Sequence, residues 1–117
     1  MTERQYELYL QRAEYQKRQI FYINEWKNAL EDYHLYVALR MLEEPAQLRH
    51  CKACVYETDT WYLLKSYNTL VAAIRKTTGD CFDALRYVYG YTSTSAQHIA
   101  KFRNDYGCKT YCRIDAQ

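Results

Sequence analysis

The chain is expected to fold as an α+β protein, with a long N-terminal helix, a short second helix and a C-terminal β-hairpin–helix–strand unit. Three observations predict this. Apolar residues recur in steps of three and four from Tyr6 to Met41, with no Gly or Pro before Pro45. A β-branched and aromatic run, "TWYLLKSYNTLVAAIR", follows over residues 60–75. A cluster of small hydroxyl residues in "YTSTS" then opens a second amphipathic stretch.

Thr2 and Gln5 have the spacing of a capping box, which starts the first helix. Its stripe runs through Tyr6, Tyr9, Ala13, Ile20, Ile23, Trp26, Leu30, Tyr33, Val37 and Met41, with one gap at Gln16 and Lys17. Beyond the gap, "IFYINEWKNALEDYHLYVALRML" is apolar around much of its circumference, so its two sides need different partners. A helix over residues 2–44 would be about 60 Å long. A compact domain of 117 residues has a radius of gyration of only about 13 Å. Either the helix breaks near Asn24, or it projects and packs against another chain, a homodimer being one form of that packing. Residues 1–44 are thus a helical segment and residues 45–117 a small α+β core, within one compact unit.

After Pro45, "AQLRHCKACVYE" reads as the short second helix. Residues 60–75 read as one strand buried on both faces, because Thr69, Val71 and Ala73 alternate with Leu70, Ala72 and Ile74. "KTTGD" supplies a turn at Gly79. Residues 81–91 have two readings. As a helix, Asp80 caps them, Cys81, Leu85 and Val88 form a stripe, and Gly90 terminates; as a strand, Tyr87, Tyr89 and Tyr91 share one face. The last helix runs from a cap at Ser93 or Ser95 to Gly107, burying Ile99, Phe102 and Tyr106, with Gln97, Lys101 and Asn104 outward. "CKTYCRI" closes the chain as a short strand.

Composition narrows the function. Hydrophobic residues make up 49% and charged residues 26%, as in a folded protein rather than a disordered tail. No run approaches the roughly 18 apolar residues that a membrane span needs. "MTERQYELYL" is not a signal peptide, so a cytoplasmic protein with reduced cysteines is expected. The net charge of +2 divides into −2 for residues 1–44 and +4 for residues 45–117. Neither half is the dense basic face of a strong DNA binder or the acidic face of a DNA mimic. The anomaly is 14 tyrosines. Tyrosine brings large contact area with only two torsions to freeze, which suits recognition surfaces; it also fills the boundary layer of small folds.

Candidate chemistry is sparse. His50, Cys51 and Cys54, with Cys108 and Cys112, offer a conceivable zinc site. The second pair is poor, because three intervening residues on a strand hold the sulfurs roughly 13 Å apart. Cys51 and Cys54 equally read as small residues sharing a buried helix face. Cys81 and His98 would be a nucleophile and base, but nothing orients the histidine, and a ring bonded to a strand carbonyl is the plainer expectation. The chain has no GxSxG, HExxH or Gly-rich phosphate loop. A non-enzyme without cofactor is expected.

A helix-turn-helix would place Gly90 in the turn and use Gln97, Lys101, Arg103 and Asn104 as nucleic-acid contacts. Against it, Arg86 stands where close packing demands a small residue, and Lys101 and Arg103 are the only cations on the reading helix.

"SYNTLVAAI" and "YGYTSTSAQHIAKF" resemble a pattern found in small uncharacterised proteins of phages and integrative elements of Firmicutes. The likeness covers residues 61–106. Ser66, Tyr67, Thr69, Val71 and Ala72 carry its first block, and Thr92, Thr94, Ser95, His98, Ile99 and Phe102 its second. It implies a ββα core and a mobile-element origin, and it supplies no catalytic residue. Small proteins of this kind include inhibitors of host defence such as anti-CRISPR proteins. The resulting expectation is a non-catalytic protein that binds and blocks a host protein or ribonucleoprotein in the bacterial cytoplasm, a CRISPR effector first among them. Tyr6, Tyr9 and Tyr15 would be its contact residues, with Arg12 and Arg18 as polar anchors. The alternatives are a helix seam within the fold or a homodimer, and a small DNA-binding regulator.

Overall fold

The computed structural model describes residues 2–116. It is an α+β fold in three layers, with a six-stranded sheet between two helices. Helix α1 spans Glu3–Ala38 without a break. The Thr2 side chain accepts from the Gln5 backbone N–H at 3.2 Å, and Gln5 returns a bond to the Thr2 N–H at 3.0 Å, completing the capping box.

The helix does not break at Asn24. Its 36 residues make a rod about 54 Å long. The molecule measures 56 × 30 × 24 Å with a radius of gyration of 15.9 Å. Projection therefore resolves the conflict between helix length and domain size. The helix stops at Ala38, six residues before the expected 44, with Leu39 as its C-cap. Arg40 there adopts φ +56°, its N–H bonds Val37 O at 3.1 Å, and the Met41 N–H bonds Tyr36 O at 2.9 Å. This is a Schellman terminus built on arginine instead of glycine.

Strands β1 (Ala46–Gln47), β2 (Ala53–Glu57), β3 (Trp61–Ser66), β4 (Thr69–Arg75), β5 (Cys81–Asp83) and β6 (Tyr111–Arg113) lie side by side in chain order. All neighbours are antiparallel except β5 and β6. A parallel pair needs a crossover, and helix α3, Ser93–Tyr106, lies within that connection.

Three expectations are corrected. Residues 46–57 form β1, a turn and β2, not a helix; Ala53 and Val55 are buried while Cys54 and Tyr56 are half-exposed, the period of a strand. The short helix of this fold is α2, Leu85–Val88. Residues 60–75 are two strands, with Ser66 paired to Thr69 across a turn of Tyr67 and Asn68 in which Tyr67 takes φ +56°. Residues 81–91 divide between the two readings: β5 pairs with β4, and one helical turn follows. Asp80 caps nothing; Asp83 Oδ1 receives the Leu85 N–H at 3.0 Å instead. Helix α3 is capped by Thr92, which accepts from the Ser95 N–H at 3.2 Å, and ends at Gly107.

The two faces of the sheet bury separate cores. Ile99 and Phe102 of α3 pack on Val55, Leu64, Ala72 and Ile74. Trp26 and Ala29 of α1 pack on Trp61, Leu63, Ala73 and Phe82. The pairing shifts between Leu64 and Lys65, opposite Ala72 and Leu70, leaving Val71 unopposed. That bulge is why Val71 and Ala72 both join the α3 side while Leu70 reaches the α1 side. Docking of α1 is fixed by polar contacts too. Arg75 bonds Glu25 at 2.9 and 2.5 Å, and its guanidinium lies 4.6 Å over the Trp61 ring. Phe82 meets Tyr22 and Trp61 edge-on, both at 6.1 Å.

Candidate binding surface

Only Trp26 and Ala29 of α1 are fully buried. From Thr2 to Arg18 every residue is exposed, save half-buried Ala13. Tyr6 is 54% and Tyr9 61% accessible, and Leu8, Leu10, Ile20 and Phe21 are also open. Spacing sorts these residues. Tyr6, Tyr9, Ala13 and Ile20 follow one another by three, four and seven positions and share a stripe. Leu8 and Tyr15 share the stripe of Tyr22, which packs on the sheet core. The docking face of α1 thus continues past the edge of its support.

The five expected contact residues fall into different settings. Tyr6 and Tyr9 are free on the outer stripe. The Tyr15 hydroxyl donates to the Asp115 carboxylate, and that bond holds its pKa above the ordinary tyrosine value. Beside it, Gln19 donates to Arg113 O at 2.8 Å and accepts from the Asp115 N–H at 3.0 Å. The chain's end therefore staples α1 at residues 15–19, and the free rod begins before Tyr15. A cleft of about 440 Å³ lies along this staple, lined by Tyr15, Gln19, Ile20, Ile23 and Asp115. Arg12 lines a shallower hollow with Leu8 and Gln11, and exposed Arg18, three residues after Tyr15 and four before Tyr22, lies on their stripe. A second apolar patch, Leu35, Val37, Leu39 and Met41, stands open at the other end of α1. Its residues follow the same apolar pattern, but nothing in that pattern says which side stays uncovered.

The alternative nucleic-acid contacts are only partly presented. Gln97 and Asn104 are exposed, and Lys101 is half-buried. Arg103 turns away, its guanidinium 4.0 Å over the Tyr111 ring. Neighbouring Arg49 is bonded to Asp105 at 2.9 and 2.6 Å. With β5 a strand and α2 only four residues long, a first helix of ordinary length is missing from the two-helix unit.

The nucleophile and base considered from the sequence have other settings. Cys81 is fully buried, and burial pushes its thiol pKa far up, away from the nucleophilic thiolate. His98 Nδ1 is 2.8 Å from Ser66 Oγ, which is 2.9 Å from Ser95 Oγ. The histidine partner is thus a serine hydroxyl, not a carbonyl. Ser66, Ser95 and His98 are 3%, 3% and 4% exposed, a buried polar cluster. These three residues come from both blocks of the "SYNT…TSTSAQHI" pattern, which the fold joins into one buried lock between β3 and α3.

Among the described residues, no group of three His, Cys, Asp or Glu side chains is placed to hold a metal ion. All five cysteines are free thiols. Cys51 donates to Leu48 O in the turn before β2. Cys108 packs on the α3 side of the sheet and Cys112 on the α1 side. Among the described residues, no helix is long and apolar enough to cross a membrane.

No protein-family model matches this chain, and no curated protein or solved structure matches it either. The fold and its surfaces define a class all the same: a three-layer α+β protein whose first helix projects the exposed apolar side chains of its N-terminal half beyond a sheet-backed base.

Proposed function

We propose that this is a non-catalytic binding protein that recognises another macromolecule through the N-terminal half of α1. One observation carries the reading. Residues 6–10 expose Tyr6, Leu8, Tyr9 and Leu10 on more than one side of a capped, continuous helix. Uncovered apolar surface of this kind is characteristic of interaction sites. Tyrosine and arginine are the residue types that most often dominate interface energies. The partner is a protein or ribonucleoprotein of a bacterial host. The resemblance over residues 61–106 makes a CRISPR effector the first to test, with inhibition of host defence as the outcome.

The test is retention of the purified chain on purified effectors, with and without guide RNA, beside a nuclease assay. Stoichiometric retention with inhibition, weakened at least about 30-fold by Tyr9→Ala, supports the reading, since a strong anchor contributes about 2 kcal/mol or more. Retention on no effector sinks the proposed target. A stable homodimer that dissociates on the same substitution turns the rod into a self-association seam and removes the reading altogether.

A further inference from the structure

A partly enclosed cavity of about 180 Å³ lies where α3, the α2 turn and the edge strand β6 meet. Asp83, Arg86, Tyr91, Arg103, Tyr111 and Arg113 line it, with buried Ile99 behind them. Three arginines share this space with one carboxylate, and that carboxylate is already committed. Asp83 Oδ1 accepts from the Leu85 N–H at 3.0 Å, and Oδ2 accepts from the Tyr111 hydroxyl. Burial, and then that bond, hold the Tyr111 hydroxyl protonated above its ordinary pKa.

The guanidiniums are consequently left without an ion pair, although the Tyr111 contact and then the Asp83 and Asp115 charges help to raise the Arg113 pKa. Among the described residues, the ion pairs are Arg49 with Asp105, Arg75 with Glu25 and Lys76 with Glu57, and none involves Arg86, Arg103 or Arg113. Each rests on an aromatic ring instead. Arg103 lies 4.0 Å and Arg113 5.7 Å from the Tyr111 ring centre, and Arg86 lies 5.5 Å from that of Tyr91. A ring holds a cation without using its N–H donors. Arg103 Nε is buried with no hydrogen-bond partner among the described residues, and Arg113 Nε makes only a long 3.4 Å contact to the Tyr111 hydroxyl. A buried donor such as Arg103 Nε is seldom left so.

The geometry points to an anion site that takes the phosphate monoester group of a small molecule. A planar guanidinium fork suits phosphate oxygens, and rings that pre-position the fork lower the ordering cost of binding. A phosphate monoester brings three acceptor oxygens and close to two negative charges at neutral pH. That balances three arginines against one aspartate better than a carboxylate does. The volume is below the roughly 300–1,000 Å³ of sites that enclose a whole drug-sized ligand, so the headgroup enters and the rest of the molecule stays outside. Asp83 faces the anion, and Asp115, two residues beyond Arg113, adds a second negative charge nearby; the task of Asp83 is to hold Tyr111, the platform beneath Arg103 and Arg113. This site uses no side chain of α1, although Gln19 of that helix donates to Arg113 O.

Calorimetric titration of the intact protein tests it, with inorganic phosphate, methyl phosphate and acetate at constant ionic strength. Saturable binding of both phosphates is expected, with methyl phosphate at least as tight and acetate far weaker. Affinity for methyl phosphate should rise from about pH 5 to about pH 7.5, as a phosphate monoester loses its second proton near pH 6. Arg103→Gln and Arg113→Gln should each weaken binding roughly tenfold or more, the worth of one charge-assisted pair. Arg113 is exposed, so its variant keeps the fold, which a melting curve checks; Lys17→Gln, on α1, should bind as the parent does. Absence of saturable phosphate binding, acetate binding as well as phosphate, or Arg113→Gln matching the parent would each overturn the site. Inorganic phosphate binding without methyl phosphate overturns the monoester assignment.

Discussion

Residues 6–15 and 22–33 of α1 are both rich in tyrosine and large apolar side chains, yet they end in opposite environments. The second stretch buries Trp26 and Ala29 against Trp61, Leu63 and Phe82, and ties Glu25 to Arg75. The first stretch keeps Tyr6, Leu8, Tyr9 and Leu10 in solvent, and Tyr15 at its end is tied to Asp115 of the tail. Helical pattern alone does not distinguish them. The extent of the sheet does, because β3, β4, β5 and the tail through Ile114 reach only the second stretch. One half of the helix is therefore structural and the other is available for recognition.

Substitutions in the two halves should break that comparison cleanly. Trp26→Ala removes the largest side chain of the α1 core and should cost about 3–5 kcal/mol, read as a large fall in the chemical denaturation midpoint. A smaller loss would mean that α1 is loosely docked. Glu25→Gln weakens a part-buried ionic contact with Arg75 and should cost about 2 kcal/mol in the same assay. At the free end, Tyr9→Ala should change stability by no more than about 0.5 kcal/mol, while retaining its effect on partner binding. A substantial destabilisation there would reveal a covering contact within the fold.

The α3 side of the sheet offers a comparison by pH. Burial, and secondarily the Lys101 charge, lower the His98 pKa below its ordinary 6.5. The unfolded chain then binds the proton more readily than the folded one. Stability from this group is complete above about pH 6.5 and falls as acidity moves toward the folded pKa. Denaturation midpoints should decline between pH 7 and pH 5, taken as approximate bounds, and His98→Gln should flatten that decline. An equal slope in the variant would place the titration elsewhere.

Legibility in the sequence followed local signals. The capping box, the rod of α1, and α3 with Ile99 and Phe102 inward are written in neighbouring residues. The end of α1 was not, because Arg40 takes a backbone conformation that usually signals itself by glycine. The β3–β4 turn was hidden for the same reason at Tyr67. In "AQLRHCKACVYE", the spacing of Leu48, Cys51 and Val55 imitates a helix, and only pairing of β2 with β3 decides for a strand. Among site residues, Tyr6 and Tyr9 could be proposed from pattern, whereas the Asp115 staple on Tyr15 joins opposite ends of the chain. The arginine cavity was illegible because Arg86, Arg103 and Arg113 come from three elements that only the fold gathers.

Amide hydrogen exchange along α1 of the isolated chain at low concentration tests the division of the helix most directly. Amides of residues 6–14 should exchange orders of magnitude faster than those of residues 24–33, because local opening there uncovers no packed core. Uniform strong protection along the whole helix would contradict the account, since something in the isolated molecule would then cover the half assigned to recognition.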